Sequence, residues 1–201
     1  MSAAIPLNTR ATRPDRGYAG RMDIRIAAYA VVIDDGRILL AHWNEHGRSG
    51  GWTLPGGGIE GEEHPIEAVR REVAEETGYE SVADRLLGID TMVIPPASKR
   101  HTGQAPLYAM RVIYRSHVTS GEIRNEVGGS SDEARWFPLE EVPRLKRVGL
   151  VDIALRLDAA EPADGVPPPA AVGARHPDAS KATRTRMRNG PPVQADGAVR
   201  R

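Results

Sequence analysis

Cysteine is absent from the 201 residues. That excludes disulfide scaffolds, thiolate zinc sites, iron–sulfur clusters and a thiol nucleophile, and it leaves the chain indifferent to redox compartment. Aromatic residues are scarce, with Trp 3, Tyr 5 and Phe 1. No apolar run approaches the roughly 20 residues of a membrane-crossing helix. Met1 to Gly20 carries Arg10, Arg13 and Arg16 with no apolar stretch behind them, unlike a secretory leader. These absences predict a cytoplasmic protein without a membrane partner. A net charge is missing too, since Lys+Arg 27 balance Asp+Glu 27. The balance is a cancellation: residues 1–22 carry +3, residues 166–201 carry +5, and the body between them carries −8.

Composition places the domain boundaries. From Glu161 to Arg201 there is no Leu, Ile, Phe, Trp or Tyr, and prolines recur at 162, 167, 168, 169, 177, 191 and 192. Such a stretch buries too little apolar surface to offset its ordering entropy. We therefore expect a disordered tail over 159–201, a flexible segment over 1–22 and one folded domain over 23–158. The basic run Lys181–Arg188 reads as a solvated tail more readily than as a nucleic-acid contact.

Inside that domain, both periodicities occur. Ile24–Ile33 is β-branched and apolar, Asp34-Asp35-Gly36 is turn chemistry, and Ile38-Leu39-Leu40 resumes, which together predict a hairpin. Trp52-Thr53-Leu54 is a short strand cut off by Pro55 and three glycines. Further strands are expected near Leu86–Ile94, Leu107–His117 and Ala134–Phe137, with a helix over Val148–Leu157. Pro65–Thr77 has helical spacing, with an apolar stripe of Ile66, Val69, Val73 and Ala74. Pro65 suits its first position and Gly78 the position past its end.

On that helix Glu72, Glu75 and Glu76 stand at i, i+3 and i+4, so three carboxylates share one face. Glu63 adds a fourth just before it. Like charges at this spacing repel, so a cation must compensate, and hard divalent metals favour oxygen ligands of this kind. Arg71 offers partial neutralisation, from a neighbouring side of the helix. Read alone, the cluster fits a solvated acidic face better than a metal site.

The order of residues separates the two. Gly57, Glu63, Arg71-Glu72, Glu75-Glu76 and Gly78 reproduce the spacing Gly-x5-Glu-x7-Arg-Glu-aliphatic-x-Glu-Glu-x-Gly-aliphatic, and only Tyr79 departs, at the closing aliphatic position. Seven fixed identities match by chance on the order of 10⁻⁹ per starting position. The segment resembles the signature of the Nudix hydrolases. The resemblance extends to Trp52–Gly57 before the signature and to Arg135–Glu141 after it, and covers about Asp23 to Leu157.

This resemblance implies an α/β fold, a Nudix-type α/β/α sandwich with a mixed β-sheet and a loop–helix–loop metal site. It implies hydrolysis of a nucleoside diphosphate linked to another moiety by water attack on phosphorus, with Mg²⁺ or Mn²⁺. Carried over residue by residue, Glu72, Glu75 and Glu76 are metal ligands and one of them doubles as general base. Glu63 supports the set, Arg71 orients it, and the carbonyl of Gly56 or Gly57 is a further ligand. In the family a loop carboxylate often serves as base or extra ligand. Glu126 and Glu133 are candidates for that role, each equally readable as a surface carboxylate.

For the substrate, Trp43 is the candidate for stacking on a base, ahead of Tyr108, and Trp52 and Trp136 read as core. Arg48 lies in the same loop region as Trp43. His42 and His46 resemble no metal-ligand set. A proline sixteen residues past the signature, here Pro95, is associated in the family with ADP-ribose pyrophosphatases and tips the expectation slightly towards ADP-ribose. The alternatives are a MutT-like nucleoside triphosphate pyrophosphohydrolase, oxidised nucleotides included, and a nucleotide sensor without hydrolysis. Sensors usually lose signature glutamates, and all four are present here. The expected partner is a nucleotide-type small molecule rather than nucleic acid, and dimers are common among ADP-ribose pyrophosphatases.

Overall fold

The computed structural model describes residues 22–45, 48–96 and 105–170, with the side chains of 45–49 outside that set. Strands β1 (Asp23–Asp34) and β2 (Arg37–Glu45) form the expected hairpin, with Ile33 opposite Ile38 and Asp34 opposite Arg37. The two turn residues, Asp35 and Gly36, both have positive φ (46° and 71°). That is the primed turn whose twist matches the strands, and it is why Asp-Gly works there. Strands β3 (Arg48–Thr53) and β4 (Gly56–Gly58) follow, then helix α1 (Pro65–Thr77), β5 (Tyr79–Ile94), β6 (Leu107–Gly121), β7 (Ser131–Pro138) and helix α2 (Gly149–Ala160).

The sheet runs β3-β2-β1-β6-β5, with β4 also paired to β1 and β7 to β2. β1 and β6 are parallel over ten residue pairs, and the other pairings are antiparallel, so the sheet is mixed. Side-chain alternation sorts the apolar residues onto two faces. Ala28, Ala30, Val32, Leu39, Val112 and Tyr114 face one way and pack on Ala68, Val69 and Val73 of α1. Val31, Ile38, Leu40 and Ile113 face the other way and pack on Leu150, Val151, Ala154 and Leu157 of α2. The result is an α/β/α sandwich, as expected. Among the described residues no helix is long and apolar enough to cross a membrane.

Two features differ from the sequence reading. Strand β3 ends at Thr53, before Pro55, as expected, but the glycines that follow form a further strand, β4, paired Ala28 to Gly57 and Tyr29 to Gly56. Only glycine fits so close to β1, because a Cβ on Gly56 would stand 2.3 Å from the Ala28 carbonyl oxygen. The expected tail is also partly placed: α2 continues to Ala160, and residues 161–170 lie against the domain. Ile89 N–H donates to Gly165 O at 3.0 Å, and Arg156 Nε donates to Pro168 O at 3.0 Å. Backbone groups make these contacts, so the lack of large apolar side chains does not prevent them. The remainder of the tail and the segment 1–21 lie outside the described residues.

Candidate metal-binding and hydrolytic site

Helix α1 is closed at both ends by local chemistry. His64 caps its start, with Nδ1 accepting from Ile66 N–H at 3.2 Å while Glu67 Oε2 accepts from His64 N–H at 2.6 Å. This is a capping box built on histidine. Gly78 ends it in the left-handed region at φ 78°, its N–H donating to Ala74 O. The acidic face therefore starts and stops at defined positions, and the apolar stripe fixes its rotation against the sheet.

Four glutamates gather along that face on two sets of partners. Arg71 holds three of them. Its guanidinium donates to Glu63 Oε1 and Oε2 at 2.8 and 3.2 Å, to Glu72 Oε1 at 3.0 Å and to Glu75 Oε2 at 3.1 Å. A further bond to Gly58 O at 3.1 Å ties the group to β4. So Arg71 does not point away from the cluster: its long stem lets the guanidinium turn back across it. Glu76 is separate, 4% exposed, and its two oxygens accept from Ser131 Oγ at 2.5 Å and Gly56 N–H at 2.9 Å.

The electrostatics follow this division. Arg71 holds the Glu63 carboxyl below the usual range by hydrogen bonding. Burial pushes Glu72 up against the opposing pull of Arg71. Burial pushes Glu76 up to about 8, and its two donors only partly offset that cost.

A divalent cation fits this arrangement chemically. The donors are hard carboxylate oxygens, two of them disfavoured as bare anions, and a guanidinium already bridges three. Gly57 lies so close to Glu72 that a Cβ would stand 2.3 Å from Oε1, which leaves a cradle between β4 and α1. Among the described residues, no three His, Cys, Asp or Glu side chains converge on one point as a ready metal cage. They converge on Arg71 instead.

The other expected residues divide. Glu126, half-buried on the loop after β6, belongs with the cluster: its Oε2 accepts from Ser131 N–H at 3.0 Å, and its charge acts on both Glu72 and Glu76. Glu133 does not, because it sits in β7 and pairs with Arg135 at 2.5 Å. Trp43 is half-buried, with its ring over Gly50, where a Cβ would stand 1.6 Å from Cε3. That packing against β3 takes up one ring face. Arg48 starts β3, with its side chain outside the described set, and Tyr108 is half-buried in β6, opposite Ile24.

Trp52 packs edge-on to Phe137 with ring centroids 4.6 Å apart, and Trp136 edge-on to Tyr79 at 6.2 Å. Tyr79 thus fills the closing position of the signature by joining the core on the α1 side. His42 Nδ1 lies 2.7 Å from Asp132 Oδ1, and His46 is outside the described residues. One contributor escaped the sequence reading: Ser131, which carries no motif and bonds to Glu76 and Glu126.

Comparison with known proteins agrees with this fold. A family model described as the NUDIX domain matches residues 23–155. An ADP-ribose pyrophosphatase of Methanocaldococcus jannaschii is 30% identical over 120 residues, covering 60% of this chain and 65% of that protein. An RNA pyrophosphohydrolase of Xanthomonas oryzae pv. oryzae is 31% identical over 157 residues, covering 72% and 74%. Among solved structures, a NUDIX hydrolase from Nitrosomonas europaea is 25% identical with a TM-score of 0.58, over 69% of this chain and 90% of that one. The chain spans between 39% and 65% of the length of four of the curated relatives it matches.

Proposed function

The chain belongs to the Nudix hydrolase family, and on that premise we propose that it is a divalent-metal-dependent pyrophosphohydrolase acting on a nucleoside diphosphate linked to a second moiety, with ADP-ribose favoured. The observation that carries this reading is the carboxylate set of Glu63, Glu72, Glu75 and Glu76 gathered between α1 and the glycine strand β4. An acidic face can receive a polyanion only through cations. Bound Mg²⁺ or Mn²⁺ would neutralise charge on the diphosphate and lower the pKa of the attacking water. Glu72, Glu75 and Glu76 would hold the cations, with the Gly56 or Gly57 carbonyl beside them.

Arg71 has a different task. Its single positive charge partly offsets Glu63, Glu72 and Glu75, and its hydrogen bonds hold the three carboxylates together. Glu126 comes to the cluster from a separate element, with its charge acting on Glu72 and Glu76, and suits the general base. Support for ADP-ribose comes from the similarity to the Methanocaldococcus enzyme and from Pro95, which directly follows β5.

A second reading is pyrophosphate removal from a 5′-triphosphate, as a nucleotide or at an RNA end. The match to the Xanthomonas RNA pyrophosphohydrolase, over more of this chain, favours it. The −8 body opposes an extended RNA contact. The test is a substrate panel with Mg²⁺ or Mn²⁺, with products separated by chromatography. AMP and ribose 5-phosphate from ADP-ribose support the first reading. Pyrophosphate from a triphosphate supports the second. No turnover of either class overturns both.

A further inference from the structure

Two carboxylates from distant parts of the chain meet at one serine. Ser131, the buried first residue of β7, donates its hydroxyl to Glu76 Oε1 at 2.5 Å and its backbone N–H to Glu126 Oε2 at 3.0 Å. Glu76 belongs to α1, and Glu126 to the loop joining β6 to β7. The loop is fastened to the same helix end by Arg124 N–H, which donates to Thr77 O at 2.8 Å. An ionised carboxylate offers about four acceptor directions. Glu76 spends one on Ser131 and one on Gly56 N–H, both fixed donors.

We propose that Ser131 is a positioning residue for divalent-cation binding, which aims Glu76 through its hydroxyl and sets Glu126 beside it through its amide. This rests on the metal-helix reading given above. The contact cannot be replaced by solvent, because Ser131 is 3% exposed and Glu76 4%. Without the hydroxyl, Glu76 keeps a single donor and can rotate about its side chain. The Glu126 contact survives any side-chain change, so the substitution isolates the hydroxyl.

The test measures Mn²⁺ binding to the full-length, substrate-free protein, from the electron paramagnetic resonance signal of unbound Mn²⁺. Ser131→Ala and Ser131→Cys, the latter close in size to serine but a weak donor, should bind about 10–100-fold more weakly, the usual effect of losing an outer partner of a ligand. Ser131→Thr keeps the hydroxyl and should bind close to wild type. The Mn²⁺ concentration for half-maximal hydrolysis should rise with the binding defect, while KM for the nucleotide at saturating Mn²⁺ stays put.

Wild-type Mn²⁺ affinity in a folded Ser131→Cys would overturn the inference. So would a folded Ser131→Thr as weak as Ser131→Ala, which would make the residue a packing element. If Ser131→Thr fails to fold, the Ala and Cys variants decide alone. Wild-type protein that binds no Mn²⁺ would overturn the metal reading and this inference together, whereas wild-type binding with unaffected variants overturns this inference alone.

Discussion

Glu76 and Glu75 are neighbours with opposite surroundings. Glu75 is half-exposed and bonded to Arg71, whereas Glu76 is buried on two donors. Replacing either by Gln should leave the fold intact and cut Mg²⁺-dependent turnover at least about 100-fold, about 2.7 kcal/mol of transition-state stabilisation; full activity in both variants would refute the metal-helix assignment. Their stabilities should differ. Burial pushes the Glu76 carboxyl up to about 8 in the metal-free fold, against an ordinary value of 4.5. The folded state therefore binds the extra proton, and its stability falls as pH rises from 4.5 towards 8. Thermal melts in chelator should show that decline for wild type and a weaker one for Glu76→Gln. Equal slopes would mean that Glu76 ionises normally.

Strand β4 shows why two of its three glycines, Gly56 and Gly57, belong to the site. Gly56 has φ 141° and no room for a Cβ against β1, so Gly56→Ala should destabilise the fold itself. At Gly57 the obstacle is different, since the Cβ would meet the Glu72 carboxylate, the movable end of a side chain. Gly57→Ala should therefore fold but bind Mn²⁺ about 10–100-fold more weakly, as calorimetric titration would show. A stable Gly57→Ala with wild-type affinity would remove Glu72 from the ligand set. Helix α2 serves as a control, since it packs on the face of the sheet opposite α1. Leu157→Ala should cost about 2–5 kcal/mol of stability through the cavity it leaves, with Mn²⁺ affinity unchanged.

The strand β5 lies at the end of the sheet, and an open edge invites pairing with other chains. Residues 161–170 cover part of it. Gly165 O accepts from Ile89 N–H, and a Cβ on Gly88 would stand 2.3 Å from that same carbonyl oxygen. A chain ending at Ala160 should melt below one ending at Ala170, by about 2–4 °C for each kcal/mol lost in a domain of this size, and should self-associate more readily. Identical melting and association would show that the strap contributes nothing.

Helix α1, its caps and the hairpin turn are legible in the sequence because their determinants are local. Proline and glycine sit at fixed offsets, apolar residues recur at helical spacing, and Asp35-Gly36 has the turn chemistry. The signature spacing by itself likewise puts Glu72, Glu75 and Glu76 on one helix face. Several decisions need contacts between residues far apart in the chain. Nothing local distinguishes Glu126 from Glu133; the fold brings one to Ser131 and leaves the other to Arg135. Arg71 reaches the cluster by the path of its side chain, which spacing does not record. Ser131 is an ordinary strand serine until the fold brings it to Glu76, and Gly165 an ordinary tail glycine until it meets Ile89. Local pattern determines which groups an element can present, and packing alone determines which of them meet.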